Sequence, residues 1–201
     1  MALLLIAAPV SAQQVVLVHG IDDDASKFDW FIEQLSDDWQ VTAANISPSD
    51  GSIDFETMAQ QLDEQLPDGE FHLLGFSMGG IITRSWLQTN ESQWGRVLSY
   101  TSLSAPNFGT TWADVCDEKV GCRQMRRDSE WLGKLNSDIK FPEHIPTLTI
   151  HTPLDVVIIP PDSTELPGAI NETMWVSMHP MMVRNRDVLE RVVQHWQSAT
   201  N

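Results

Sequence analysis

Phe71-His72-Leu73-Leu74-Gly75-Phe76-Ser77-Met78-Gly79-Gly80 is the stretch on which the reading of this chain turns. Phe71 to Phe76 is a short, mainly apolar run of strand length, and Met78 to Leu87 has helical character, opened by two glycines. Ser77 stands on the joint. A residue on so sharp a strand-to-helix turn has strained backbone angles, and side chains two positions before and after it would collide. Gly75 and Gly79 occupy those two positions. The turn lifts the Ser77 hydroxyl above the sheet and sets it at a helix N-terminus, where backbone N–H groups favour developing negative charge. Strand before and helix after make this Gly-x-Ser-x-Gly a candidate nucleophile rather than a chance match.

Working outward, Val15 to Val18 is fully apolar, ends at His19-Gly20 and reads as a buried parallel strand. Trp39 to Ala44, Val97 to Leu103, Thr147 to His151 and Met174 to Met178 read as further strands. Helices are expected from about Ser26 to Leu35, around Ile53 to Leu66, over Met125 to Leu135, and from Met181 to Trp196. Short apolar strands alternating with helices specify an α/β fold, a mostly parallel sheet of about six strands flanked by helices. Chemistry on such sheets sits at the carboxyl ends of the strands.

Length and composition agree with one domain. The chain has 201 residues, 42% hydrophobic and 20% charged, which excludes disorder and coiled coil. Lys and Arg number 12 against 28 Asp and Glu, a formal charge of −16. So acidic a surface repels phosphate backbones, so no nucleic-acid partner is expected. No apolar run approaches the ~18 residues of a membrane span. Residues 1–12, MALLLIAAPVSA, pattern as a secretory signal peptide cut after Ala12, with a first core strand as the alternative. The domain then covers 13–201 and the protein is secreted or periplasmic; with the alternative it is cytoplasmic. Cys116 and Cys122 are the only cysteines, too few for a four-cysteine zinc site. In an exported protein they read as a small disulfide loop, contributing ~2 kcal/mol in the chain-entropy account.

A serine nucleophile needs donors for its oxyanion, a base and an acid. The backbone N–H of Met78 is one expected donor and that of Ile21, in the loop after the first strand, is the other. Gly20 lets that backbone come close. His19 reads as scaffold rather than base. Asp22 to Asp24 read as a solvated loop and helix cap, with a calcium site as the alternative. In this architecture the acid and base follow the serine in that order. His179 lies between the last strand and the last helix and is the expected base, with His151 second. Asp155, four residues past the Thr147–His151 strand, is the expected acid, with Asp162 and Glu165 as alternatives.

With these residues placed, the chain resembles the α/β-hydrolase superfamily, and most closely the small bacterial lipases and esterases related to triacylglycerol lipases. The resemblance runs over about 15–196. His19-Gly20 and the Ser77 motif carry it. So does Pro106-Asn107-Phe108-Gly109-Thr110, which is similar to a Pro-His-x-Gly-Thr element with Asn107 where histidine is usual. Leu154-Asp155-Val156-Val157 with Pro160 is similar to the family's acid-bearing loop. His179 matches the base position, although Met178 stands where glycine usually precedes it. The resemblance implies a compact form without the first two strands of larger members. It implies a serine hydrolase of carboxylic esters with a small-molecule or lipid substrate, no metal and no organic cofactor. Thioester hydrolysis and acyl transfer use the same machinery, and a non-catalytic binding protein is the rival from another class. Residues 107–141, with Phe108, Trp112, Met125, Trp131 and Leu132, are expected to cover the pocket as a lid, with ordinary core as the alternative. Nothing in the chain indicates an oligomeric state.

Overall fold

The computed structural model describes residues 12–116, 118–139, 141–142 and 144–200. The leader expected over 1–12 lies outside the described residues except for Ala12. Six strands form one sheet: β1 (Gln13–Val18), β2 (Trp39–Ala44), β3 (Phe71–Phe76), β4 (Val97–Leu103), β5 (Thr147–His151) and β6 (Ile170–Thr173). Their order is β2-β1-β3-β4-β5-β6 and every pairing is parallel. The helices are α1 (Asp29–Glu33), α2 (Phe55–Asp63), α3 (Met78–Thr89), α4 (Val120–Gln124), α5 (Glu130–Ser137) and α6 (Arg186–Ala199).

The near-continuous apolar runs of the central strands follow from burial on both faces. Along β1, Val16 and Val18 join the core that includes residues of α2 and α3, while Val15 and Leu17 join the core that includes residues of α1 and α6. Along β3, Phe71 and Leu73 face one way, and Leu74 and Phe76 the other. Two cores thus sandwich the sheet. The chain leaves β1 for β2 on one side and returns to β3 on the other. The crevice between the carboxyl ends of β1 and β3 is therefore the topological switch point of the sheet, the place where such folds bind ligands.

Three expectations about elements need correction. The last strand is Ile170–Thr173, not Met174–Met178. The real strand is a half-solvated edge, with only Glu172 less than exposed, so it carries no apolar run to find. The apolar Met174 to Met178 stretch is instead a loop in which Trp175 is 78% exposed. The helix expected over Met125 to Leu135 starts later, as α5 at Glu130, because Ser129 caps it by accepting from Leu132 N–H at 3.3 Å; α4 has already ended at Gln124. The last helix begins at Arg186, because Asn185 caps it through Val188 N–H at 3.0 Å; His179–Arg184 is a separate 3₁₀ turn.

His72 is fully buried on the α6 side of β3, its Nδ1 2.8 Å from Ser99 Oγ and its ring 5.7 Å from Trp39. Burial, reinforced by the charge of His195, holds it down at about 4, below the ordinary 6.5. Between those values the unfolded chain carries the proton and the folded one does not. Stability therefore rises with pH across that window and is lost as pH falls through it, with a limiting slope of ~1.4 kcal/mol per pH unit for one group. The urea midpoint should fall between pH 6.5 and 4.5, and His72→Leu should remove part of that fall. A midpoint constant over the window contradicts the burial argument.

Candidate active site

Ser77 joins β3 to α3 with φ 55° and ψ −126°, a left-handed conformation for a residue with a side chain. Its N–H donates to Leu103 C=O of β4 at 2.9 Å. The conformation holds because backbone meets backbone on either side. A Cβ at Gly75 would lie 2.3 Å from Gly79 C=O oxygen, and one at Gly79 would lie 2.2 Å from that of Val18. Position 80 is closed too, since a Cβ there would meet Ala105 Cβ at 2.3 Å. The helix is thus drawn onto the carboxyl ends of β1 and β3, and Ser77 is held at their crevice.

The loop after β1 touches the serine directly. A Cβ on Gly20 would stand 3.0 Å from Ser77 Cβ and 3.3 Å from Ser77 Oγ. His19, fully buried, holds this loop to the one after β2. Its Nε2 accepts Ile46 N–H at 3.0 Å, so Nδ1 carries the proton and donates to Gly20 C=O at 2.9 Å. Burial lowers its basicity, consistent with that neutral tautomer. Ile21 follows in the turn with its side chain against the α2–α3 core, and Met78 is buried at the first position of α3. Asp24 caps the turn Ala25–Phe28 through Ser26 N–H at 2.8 Å. Asp23 pairs with Lys27 at 3.0 Å.

On the other side, His179 Nδ1 lies 2.7 Å from Asp155 Oδ2, with both side chains buried. Asp155 Oδ1 accepts Val157 N–H and Ile158 N–H, each at 2.9 Å. A carboxylate oxygen accepts, so Nδ1 of His179 is the donor in this pair. The imidazole rests on Phe76, ring centroids 4.9 Å apart, and Phe76 is the residue before Ser77. Gly20 thus abuts Ser77, and Phe76, the residue before Ser77, carries the His179–Asp155 pair. Asp162 and Glu165 are exposed. His151 is buried at the end of β5, with Nε2 3.3 Å from Thr173 Oγ1.

Several further residues support the site. Thr152 Oγ1 donates to Val176 C=O at 2.7 Å and accepts Val176 N–H at 3.2 Å, tying the loop that carries Asp155 to the loop that leads to His179. Thr110 Oγ1 donates to Val157 C=O at 2.6 Å and accepts Ile159 N–H at 2.9 Å. Asn107 Nδ2 donates to Ser102 Oγ at 2.9 Å and Thr164 C=O at 2.7 Å. Arg84, wholly buried on α3, donates to Asn107 C=O, Leu135 C=O, Asn136 and Gln88, and burial lowers it to about 10. A lone charge in an otherwise uncharged helix was its one signal in the sequence. Of the residues expected to cover the site, Met125 is buried in the α2–α3 core, Leu132 is buried, and Trp131 stacks on Phe55 at 4.9 Å. Cys116 and Cys122 form a disulfide.

Residues 14–143 match the model of the palmitoyl protein thioesterase family. A palmitoyl-protein thioesterase of Dictyostelium discoideum is 28% identical over 128 residues, covering 56% of this chain and 43% of that protein. This chain thus corresponds to less than half the length of that relative. Among solved structures, Aspergillus fumigatus lipase B superposes with a TM-score of 0.75 at 17% identity, over 90% of this chain and 51% of the lipase. A Bacillus licheniformis lipase gives 0.66 at 13% identity, over 94% and 93% of the two chains. A Thermogutta terrifontis esterase gives 0.66 at 16%, over 95% and 92%. At these identities the superpositions establish the α/β-hydrolase fold.

The glycine contacts predict a contrast. Gly79→Ala should unfold the protein or lower its stability by several-fold more than ordinary surface changes, on the order of 3 kcal/mol or more, since a backbone carbonyl fills the space. Gly133, in α5, has nothing within 4 Å of its missing Cβ. Gly133→Ala should therefore stabilise by about 0.5–1 kcal/mol. Urea melts of both variants test the account; equal effects would refute it.

Proposed function

This chain belongs to the palmitoyl protein thioesterase family, and from that premise we propose that it is a serine hydrolase of acyl esters and thioesters, with Ser77 as nucleophile, His179 as base and Asp155 as acid. The observation that carries the reading is the buried 2.7 Å His179–Asp155 bond, held against Phe76 beside a strained serine. His179 Nε2 takes the Ser77 proton as Oγ bonds to the acyl carbon. The N–H groups of Ile21 and Met78 hold the oxyanion, which is why Gly20 must carry no side chain. The intermediate collapses, the acyl–oxygen or acyl–sulfur bond breaks, and His179 returns the proton to the leaving alcohol or thiol. Water then adds to the acyl-enzyme by the same steps, releasing the acid. Asp155 keeps Nδ1 protonated and stabilises the imidazolium.

Family membership favours thioesters of long acyl chains, and the apolar residues beside the site suit such a chain. Segment 107–141 is a cover in this reading, with its inner side, Met125 and Leu132, fixed in the core. The disulfide supports an exported protein, with residues 1–12 as its leader.

Ser77→Ala should lower kcat by on the order of 10⁶ with the fold retained, and Asp155→Asn by about 10⁴. A fluorophosphonate probe should label the parent protein at Ser77 and leave Ser77→Ala unlabelled. A series of p-nitrophenyl esters and S-acyl thioesters of rising chain length would give the preference. Absence of labelling in the folded parent protein would return the chain to the class of non-catalytic binding proteins.

A further inference from the structure

The oxyanion donor expected at Ile21 is not held by β1 alone. Asp22, the next residue, has φ 54°, a left-handed conformation that a residue with a side chain keeps only where its surroundings enforce it. The loop after β2 does the enforcing. Asp22 N–H donates to Ser49 C=O at 3.0 Å, and Ser49 Oγ donates to Asp23 C=O at 2.7 Å. A Cβ on Gly51, itself at φ 80°, would stand 3.5 Å from Ile21 Cδ1 and 2.9 Å from Cys122 Sγ. Gly51 is thus wedged between the donor residue and the disulfide.

That loop follows an edge strand and takes its support from α4. Gly121 N–H donates to Gly51 C=O at 2.9 Å, Lys119 Nζ pairs with Asp50 at 2.9 Å, and Gln124 Oε1 accepts Phe55 N–H at 3.0 Å. A Cβ on Gly121 would meet the Ile53 C=O oxygen at 2.9 Å, so this approach too is backbone to backbone. α4 has five residues, too few to be stable by itself. Its Cys122 is fully buried and is bridged to Cys116, just before the helix. The contacts therefore run from the bridge through α4 and Gly51 to Ile21.

We propose that the Cys116–Cys122 bridge, acting through Gly51, positions the Ile21 N–H for the reaction, so that turnover depends on the oxidation state of this pair. The proposal rests on the hydrolase reading for the role of Ile21. Cys116 is the partly exposed end of the bridge. A dithiol reductant attacks its Sγ as thiolate, and Cys122 leaves as thiolate and takes up a proton. The second thiol of the reductant then displaces Cys116, and the reductant departs as its own disulfide. Two electrons and two protons pass to the cysteines.

Dithiothreitol reduction of the folded parent protein, verified by mass, should lower kcat about ten-fold and leave KM within about two-fold. Oxidised glutathione should restore it. Affinity for a trifluoromethyl ketone, which forms an oxyanion on Ser77, should fall by the same factor as kcat. The double variant Cys116→Ala, Cys122→Ala should match the reduced protein and ignore dithiothreitol. Val192→Ala opens a cavity in the α6-side core, off this path, and should lower the urea midpoint without changing kcat. Amide exchange reads the coupling without any chemistry: on reduction Asp22 N–H should exchange about ten-fold faster, and α6 should not change. Unchanged kcat or unchanged Asp22 exchange in the reduced protein overturns the proposal. So does a fall in kcat with ketone affinity intact, or an equal fall in Val192→Ala. A parent protein that hydrolyses no ester or thioester fails the hydrolase reading alone, and exchange at Asp22 still decides whether the bridge holds the loop.

Discussion

Backbone-to-backbone contact between α3 and the ends of β1 and β3 is the constraint on which the rest of the structure depends. Ser77 holds φ 55°, a conformation that costs a non-glycine residue about 1–3 kcal/mol. It persists because the alternatives are blocked: relaxing the turn would lift α3 from carbonyl groups that it meets at glycines 75 and 79. The same closeness brings Gly20 against the serine. One steric arrangement thus fixes three things together, namely the height of the hydroxyl, the entry of the helix and the approach of the loop after β1. A single methyl group at any of these glycines would disturb all of them.

The two halves of the site are held by different forces. Ser77, Gly20 and Met78 are positioned by excluded volume at the centre of the sheet. Asp155 and His179 arrive on loops from β5 and β6, at its edge, and are positioned by hydrogen bonds. Asp155 takes two backbone donors before it takes His179, and Thr152 clamps the base loop through Val176. Thr110, from the loop after β4, bonds the backbone of Val157 and Ile159 just beyond the acid. Phe76 is the one side chain that belongs to both halves, leading directly into Ser77 and touching the imidazole.

This difference explains what the amino-acid sequence disclosed. β1 and β3 were legible because burial on both faces demands near-continuous apolar runs, and β3 with Ser77 also because its turn demands glycine at fixed offsets; β2 was legible although it is an edge strand and only partly buried. β6 was not, since an edge strand needs no apolar run, and Ile170–Thr173 has none. The misleading Met174–Met178 run is apolar for a reason unrelated to strand pairing, as its exposed tryptophan shows. Helix breaks at Ser129 and Asn185 were hidden because a cap competes with periodicity only locally. Asp155 and His179 were expected as a pair from their places just after strands, with Asp162 and Glu165 as alternatives; the 2.7 Å contact depends on loop paths that no spacing encodes. Thr152 was invisible as a support, because a threonine that bonds a distant backbone looks like any other threonine, and the motif that contains Thr110 did not say which backbone groups it bonds.

Arg84 shows what such hidden supports do. A buried guanidinium is costly unless its donors are satisfied, and the partners it finds are carbonyl and amide groups. Two of them, Leu135 C=O and Asn136, lie in the last turn of α5, where the helix dipole is negative and a cation is favoured. A third, Asn107 C=O, lies where the chain leaves β4. Segment 107–141 is therefore tied to the nucleophile's helix near both of its ends. In its middle, Gly121 N–H donates to Gly51 C=O at 2.9 Å. Displacing the segment as one body would break all of these bonds and expose a charge in the core.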